Sequence, residues 1–444
     1  MREARETLEG LLRAGLLAAD PAAAVGRVMV RRGERLEIAG LAAAPCARLR
    51  VLAAGKAAAG MAAAAERIAG DRIAGGLAVT KDGHAGAPLA RLRLLEASHP
   101  VPDARSEAAG RALLACAAQG ESDEVVLVLL SGGASALLAC PLPGIAGEDV
   151  ARTTSLLLAS GAAIDEVNCV RKHVCDVAGG RLARAARGRS VVVLAISDVI
   201  GDRLDVIGSG PCAPDPTRFA DALGVLRDRG VLADVPAAVR RHLEAGARGE
   251  REESPKPGDA CFARVRSAIV ASNDDALAAA ERAAREAGLR AARLGAALRG
   301  EAREVGRRLA ALAGAVRPAT RTLLLAGGET TVTLRGTGRG GRSQELALAA
   351  AIGLAGRADA ALLAAGTDGT DGPTDAAGAF ADGGTLARGA ARGARAADAL
   401  ARSDAYGFFD VEGGLLRTGP TGTNVMDLVF LLLDPPFSCP APTV

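Results

Sequence analysis

Lys56, in Ala53-Ala54-Gly55-Lys56-Ala57-Ala58, is one of only four lysines among 54 basic residues. Arginine and lysine serve equally on most solvated faces, so a retained lysine marks a place where a compact point charge is needed. That reasoning singles out Lys56 and Lys172. Ser131-Gly132-Gly133-Ala134-Ser135 follows the apolar run VVLVLL and opens into SALLACPL. Glycines there let successive backbone N–H groups converge on an anion, and a following helix N-terminus adds positive potential. A plain strand-to-helix turn is the alternative for that loop.

Carboxylates end two further apolar runs. Ser197-Asp198-Val199-Ile200-Gly201-Asp202 follows VVVLAI, with Gly208-Ser209-Gly210-Pro211 close behind. Asp198 suits Mg²⁺ coordination or orientation of a reacting hydroxyl, and a turn cap is the bland alternative. Thr367-Asp368-Gly369-Thr370-Asp371-Gly372 repeats the arrangement in the second half. Hard acidic ligands without His or Cys companions favour Mg²⁺ over a transition metal. Thr418-Gly419-Pro420-Thr421-Gly422-Thr423-Asn424 is the densest polar turn, able to offer hydroxyls and amides to a substrate or nucleotide, or to be only a loop.

Gly336-Thr337-Gly338-Arg339-Gly340-Gly341 satisfies GxGxxG, lies after TTVTLR and opens the helix RSQELALAAA. A dinucleotide fingerprint wants an acidic residue at the end of the next strand, and Asp368 falls there at too long a spacing. The pattern GxxxxGK[ST] is absent, so an ATP site here is not a standard P-loop.

These turns need a scaffold. RVLAAG (50–55), VVLVLLSGG (125–133), VVVLAISD (191–198), TLLLAGGE (322–329) and ALLAAGTDG (361–369) have the length of buried parallel strands and alternate with Ala-rich helices, which predicts doubly wound α/β architecture. Ligands then collect beyond the carboxyl ends of the strands. The 444 residues call for more than one domain. Charged, Pro/Gly-punctuated sequence between 231 and 260 places a boundary near 240. Aromatics make up only 2% and the net charge is +3, which leaves neither stacking platforms nor a basic footprint for nucleic acid. The eight cysteines form no CxxC pair or Cys/His cluster and read as small buried hydrophobes in a reducing compartment. The N-terminal stretch reads as an amphipathic helix without a signal peptide's layout, and the apolar runs are too short to span a bilayer. A cytoplasmic protein without membrane association is expected.

In order along the chain, AAGKAA (53–58), HPVPDARS (99–106), LLSGGASALL (129–138), IDEVNCVRKH (164–173), SDVIGD (197–202), GSGPCAPDPTRFADAL (208–223), GGETTV (327–332), GGRSQE (340–345), GTDGTDGPTDAAGA (366–379) and TGPTGTNVMDL (418–428) resemble the class II glycerate kinases. The resemblance implies a Rossmann-like, three-layer N-terminal domain (1–240) with a parallel sheet. A second α/β domain (241–444) would contain the MOFRL region, about 320–430. It implies phosphorylation of D-glycerate to 2-phosphoglycerate by ATP with Mg²⁺, in a cleft that closes between domains. Lys56, Asp198 and Arg342 are then the catalytic residues, with Lys56 and Arg342 bracketing the phosphoryl group. Asp198 or Asp368 holds metal. Ser131, Gly132, Gly133, Ser135, Arg171, Lys172, Ser209, Gly210, Glu329, Thr421, Thr423 and Asn424 form the nucleotide- and substrate-binding set, Arg171 and Lys172 being candidates for the substrate carboxylate. Cys175, Ala178, Cys212 and Ser343 depart from the family's usual Ser, Lys, Thr and Asn. The absent lysine at 178 removes one candidate phosphate contact.

Two rivals stand beside this reading. An NAD(P)H-dependent hydroxypyruvate reductase, a label attached to relatives of the family, rests on the GxGxxG segment and on the shared three-carbon metabolite. A ligand-binding protein that kept the fold would need no catalytic set. Assembly as a homodimer, and phosphorylation at the 2- or 3-hydroxyl, stay open.

Overall fold

The computed structural model describes residues 2–42 and 47–435. Cys46 and Cys439 lie outside the described residues. Two compact units emerge. One comprises Pro21–Val270; the other joins Met1–Asp20 to Ala271–Val444.

The Pro21–Val270 unit begins with a small antiparallel meander, β1 (Met29–Arg32), β2 (Arg35–Ile38) and β3 (Leu41–Ala42). Its main sheet contains β4 (Leu49–Ala54), β5 (Ile73–Lys81), β6 (Arg93–Ala97), β7 (Val125–Leu130), β8 (Val191–Ile196) and β9 (Val265–Ala271), in the order β6-β5-β4-β7-β8-β9. Pairing is parallel from β6 through β8. Leu52, Val128, Leu130, Val193 and Ala195 join Ala109 and Leu113 of the helix Ala104–Ala118 in one core. The alternate residues Val51, Ala53, Leu127 and Leu129 are equally buried, with the helix Ala58–Ala69 packed on β4 and β5. Burial on both faces explains the continuous apolar runs. The chain winds outward from β4 to β6, then returns to β7 on the other flank of β4. The strand order therefore reverses between β4 and β7, where open sheets bind ligands.

In the other unit, β10 (Arg290–Arg293), β11 (Thr322–Gly328), β12 (Ala360–Gly366), β13 (Gly378–Asp382), β14 (Leu415–Leu416) and β15 (Asp427–Leu433) form a mixed sheet in the order β10-β11-β15-β12-β13-β14. Only β10 and β11 pair in parallel; β15 lies antiparallel to both β11 and β12. The first helix, Arg2–Ala18, packs here: Gly15 meets Leu428 and the carbonyl of Ala276, and Leu8, Leu11 and Leu12 are buried.

Two expectations change. The units divide at 270/271 rather than near 240. The charged stretch expected as a linker includes the helix Ala237–Ala247, whose Val239 and Leu243 pack with Phe219 and Leu226. TTVTLR is no strand; among its residues only Thr331 makes an isolated bridge, to Glu301. Cys140, Cys169, Cys175 and Cys212 are buried free thiols, whereas Cys116 and Cys261 are half-buried. Burial pushes Cys140 and Cys212 up to about 12, so neither is a thiolate nucleophile. Among the described residues, no helix is long and apolar enough to cross a membrane.

Candidate functional site

The switch point in the Pro21–Val270 unit is built by the turns after β4 and β7. Backbone N–H of Lys56 donates to the Gly132 carbonyl at 2.9 Å, and that of Ala57 donates to Ser131 Oγ at 3.0 Å. Gly55 has φ +126, and a Cβ there would lie 2.2 Å from Ser131 Oγ. The glycine before Lys56 is required by this approach. Gly133, at φ +89, faces the His99 ring and Lys56 Cγ, so His99 joins the same crevice. The helix after Gly133 spans only Ala134–Leu137. Its dipole is correspondingly short, and Ser131 is fully buried. The loop thus shapes the lysine's turn more than it offers a helix terminus to an anion.

A second group lies beside it. Ser135 Oγ and Ser209 Oγ are 2.7 Å apart, and Ser209 Oγ donates to Asn168 Oδ1 at 2.9 Å. Arg171 Nη1 donates to Asn168 Oδ1 (2.9 Å) and to Ser209 Oγ (3.3 Å). Arg171 is half-buried and pairs with no carboxylate among the described residues. Desolvation holds its guanidinium below the usual arginine range, yet arginine stays charged. A desolvated, oriented cation without a resident counter-ion is suited to an anionic ligand. Asp198 follows β8, half-buried, at the carboxyl end of the strand next to β7.

Lys172 is placed differently from its neighbour. It is 4% exposed, and Nζ lies 3.6 Å from Asp205 Oδ2 and 3.5 Å from Asp215 Oδ1. Its ammonium is engaged internally, whereas the Arg171 guanidinium faces no carboxylate among the described residues. Gly210 is required by the chain itself, since a Cβ would sit 2.8 Å from the Asp205 carbonyl oxygen.

The other unit carries its own cluster. Arg342 opens the helix Arg342–Leu354. It donates to Asp427 through Nε (2.6 Å) and Nη2 (3.0 Å), and to Glu329 through Nη1 (2.6 Å). Of a guanidinium's five N–H donors, three are engaged, so two stay available. Asp371 is buried and accepts the N–H groups of Ser343 (3.2 Å) and Gln344 (2.8 Å). Burial, followed by the charge of Asp427, pushes Asp371 up to about 7. Burial pushes Asp427 up to about 6 against the pull of Arg342, leaving it ionised at neutral pH. Asp427 Oδ1 and Asp368 Oδ1 flank Gly366, 3.5 and 3.6 Å from where its Cβ would be. Asp368 Oδ1 also accepts the N–H and hydroxyl of Thr370, both at 3.1 Å.

The polar turn before β15 is more structural than expected. Thr423, 2% exposed, donates to the Ala19 carbonyl at 2.7 Å, so its hydroxyl proton is engaged within the fold. Thr421 donates to the Thr367 carbonyl (2.5 Å), and Asn424 Oδ1 accepts the N–H of Met426 (3.3 Å). The GxGxxG glycines are also explained by packing. Cβ atoms at Gly336 and Gly338 would strike Arg402, and one at Gly341 would lie 2.2 Å from Asp371 Oδ1. No strand leads directly into them, as a dinucleotide turn requires.

Three residues were not singled out in the sequence reading: His99, Asn168 and Asp427. Asn168 and Asp427 lie inside the motifs IDEVNCVRKH and TNVMDL; their roles depend on partners far along the chain. Among the described residues, no group of three or more His, Cys, Asp or Glu could hold a metal ion by itself. Single carboxylates such as Asp198 and Asp368 still fit Mg²⁺, which keeps several waters and is bound largely through substrate phosphates.

Comparison with known proteins bears on this arrangement. Residues 7–244 match a domain of unknown function, DUF4147, and residues 322–427 match the MOFRL family. The glycerate 2-kinase of Pyrococcus horikoshii is 39% identical over 94% of both chains. The D-glycerate 2-kinase of Thermotoga maritima is 42% identical over 87% of this chain and 91% of its own. A solved structure of glycerate kinase from Thermotoga maritima superposes with a TM-score of 0.83 at 38% identity, covering 98% of this chain and all of that one. The chain belongs to the MOFRL family of glycerate 2-kinases.

Proposed function

We propose that the protein transfers the terminal phosphoryl group of ATP to the 2-hydroxyl of D-glycerate, giving 2-phosphoglycerate and ADP. The single observation that carries the site assignment is the Ser131–Ser135 loop, which meets the Lys56 turn at Gly132 and the Arg171–Asn168–Ser209 group at Ser135. Phosphoryl transfer asks a protein mainly for positioning and charge stabilisation. In this reading Arg171, supported by Ser209 and Ser135, takes the substrate carboxylate. Asp198 accepts or orients the attacking hydroxyl. Lys56 neutralises charge on the phosphoryl oxygens; in the other unit Arg342, with two N–H donors left, is a further anion-binding candidate. Asp198 or Asp368 would hold Mg²⁺, which when bound neutralises the nucleotide phosphates. Thr421, Asn424 and Glu329 remain nucleotide-side candidates.

The reductase reading loses the support of its sequence motif, because the GxGxxG glycines serve close backbone packing, and keeps only the shared three-carbon metabolite and the label carried by some relatives. A coupled assay for ADP release with ATP, Mg²⁺ and D-glycerate tests the proposal, with phosphorus NMR identifying the phosphorylated oxygen. NADH oxidation with hydroxypyruvate and no ADP release would overturn it.

A further inference from the structure

We infer that Lys172 is a positioning residue: its buried ammonium ties together the two ends of the loop that presents Ser209 to Arg171. The inference rests on the assignment of Arg171 and Ser209 to the substrate carboxylate.

The loop is bounded by Asp205 and Asp215, and Lys172 Nζ reaches both, at 3.6 and 3.5 Å. Between them, Gly208, Ser209 and Gly210 have φ of 59°, 61° and 62°. Glycine adopts that left-handed conformation freely, but serine does so at a cost. Ser209 keeps it because the surroundings over-determine the loop. Its carbonyl accepts the Gly179 N–H at 3.0 Å, and the Gly210 carbonyl accepts that of Gly180 at 2.8 Å. Arg171 and Asn168 hold its hydroxyl from the helix Ile164–Lys172. Lys172 is the last residue of that helix. The residue that orients the ligand donor is thus adjacent in sequence to the one that closes the loop carrying its partner.

The far end of the tie is itself anchored. Asp215 is fully buried and accepts Ser254 Oγ (2.7 Å) and the N–H and hydroxyl of Thr217 (3.0 and 2.7 Å). Lys256 donates to the Thr217 carbonyl and lies 3.1 Å from Glu253 Oε2. Glu253 Oε2 also lies 3.2 Å from Nε2 of the buried His173. The charged stretch 250–259 therefore serves as the outer wall of this network. Asp205 is less enclosed, and Arg203 engages both of its oxygens (3.2 and 2.8 Å).

The test separates a tie from a ligand. Asp205→Asn leaves the Lys172 ammonium in place and removes one attachment. A positioning role predicts that its KM for D-glycerate rises about threefold to tenfold, with the KM for ATP unchanged. Lys172→Met should raise the glycerate KM further, about tenfold or more, and Lys172→Arg should recover part of the loss. A glycerate KM unchanged in Asp205→Asn, or an effect confined to melting temperature in every variant, would overturn the inference. Should Lys172→Met fail to fold, Asp205→Asn and Lys172→Arg still decide it. Wild-type enzyme and Arg171→Ala, run alongside, report on the underlying site assignment. Absent wild-type turnover, or a glycerate KM untouched in Arg171→Ala, would fault that assignment instead.

Discussion

Arg342 and Asp427 meet in a two-point pair, Nε to Oδ2 at 2.6 Å and Nη2 to Oδ1 at 3.0 Å, at the point where one helix and one strand begin. The strand start is pinned in turn by Asn273, whose amide donates to the carbonyls of Val425 (2.7 Å) and Asp427 (3.0 Å). Planar fork and carboxylate match only in that orientation. Asp427→Asn keeps the shape but loses the charge and one of the two bonds, leaving a single bond to a neutral amide oxygen and the Glu329 contact as restraints. Its kcat should fall about 10- to 100-fold, the usual cost of a catalytic group displaced by about 1 Å. Arg342→Lys, which lacks the fork, should do no better. Steady-state kinetics on both variants check this, and near-native turnover in Asp427→Asn would show that the pair has no positioning role.

Lys56 should behave as an electrostatic residue rather than a structural one. The bond it gives to the β7 turn comes from its backbone N–H, which an alanine keeps. Lys56→Ala is expected to lower kcat by roughly 10²–10⁴ while the melting temperature stays within a few degrees. Kinetics and thermal melts on one preparation give both readings. Near-native turnover would remove Lys56 from the catalytic set.

How far the sequence foresaw this depends on whether a residue's partner is local. The strands around Lys56, Ser131 and Asp198 were readable because burial on both faces leaves a continuous apolar run. The internal partners of Lys172 and Thr423, Asp215 and Ala19, were not legible because nothing near them in sequence points there. The antiparallel insertion of β15 between β11 and β12 was likewise invisible, since a buried strand looks the same in either direction. The stretch 231–260 misled for a related reason: charge and proline mark a linker unless the charges have buried partners, as Glu253 and Lys256 do.

Asp371 should make stability depend on pH. Its folded pKa, about 7, stands well above the ordinary 3.8. The folded state therefore holds this proton more tightly than the unfolded chain. The contribution is complete below about pH 4 and is lost as pH rises through 7, with a slope of up to about 1.4 kcal/mol per pH unit. Glu253 acts in the opposite sense and in a lower window. Hydrogen bonds from His173, Phe219 and Lys256 outweigh its burial and hold it at about 2, so it adds stability as pH rises from there to its ordinary 4.5. Thermal melts between pH 4.5 and 8 should show a shallower decline in Asp371→Asn than in wild type. Asp427 retains a share of the dependence, since it too is raised. Identical slopes in the two proteins would assign the dependence elsewhere.

Gly133 and Gly144 allow backbone strain to be separated from active-site contact. Both have φ +89, but a Cβ at Gly144 meets nothing within 4 Å, whereas one at Gly133 lies 3.1 Å from the His99 ring and 3.4 Å from Lys56 Cγ. Alanine at either position should cost about 1–2 kcal/mol for the left-handed conformation. Only at Gly133 must a neighbour also move. That neighbour is either the ring on the cis His99–Pro100 segment or the lysine stem. Gly144→Ala should therefore lower the melting temperature with kcat unchanged. Gly133→Ala should lower it at least as much and reduce kcat more than tenfold, because a lysine shifted by a few tenths of an ångström no longer meets the phosphoryl oxygens in line. Equal activity in the two variants would place the reacting phosphoryl group away from the crevice between β4 and β7.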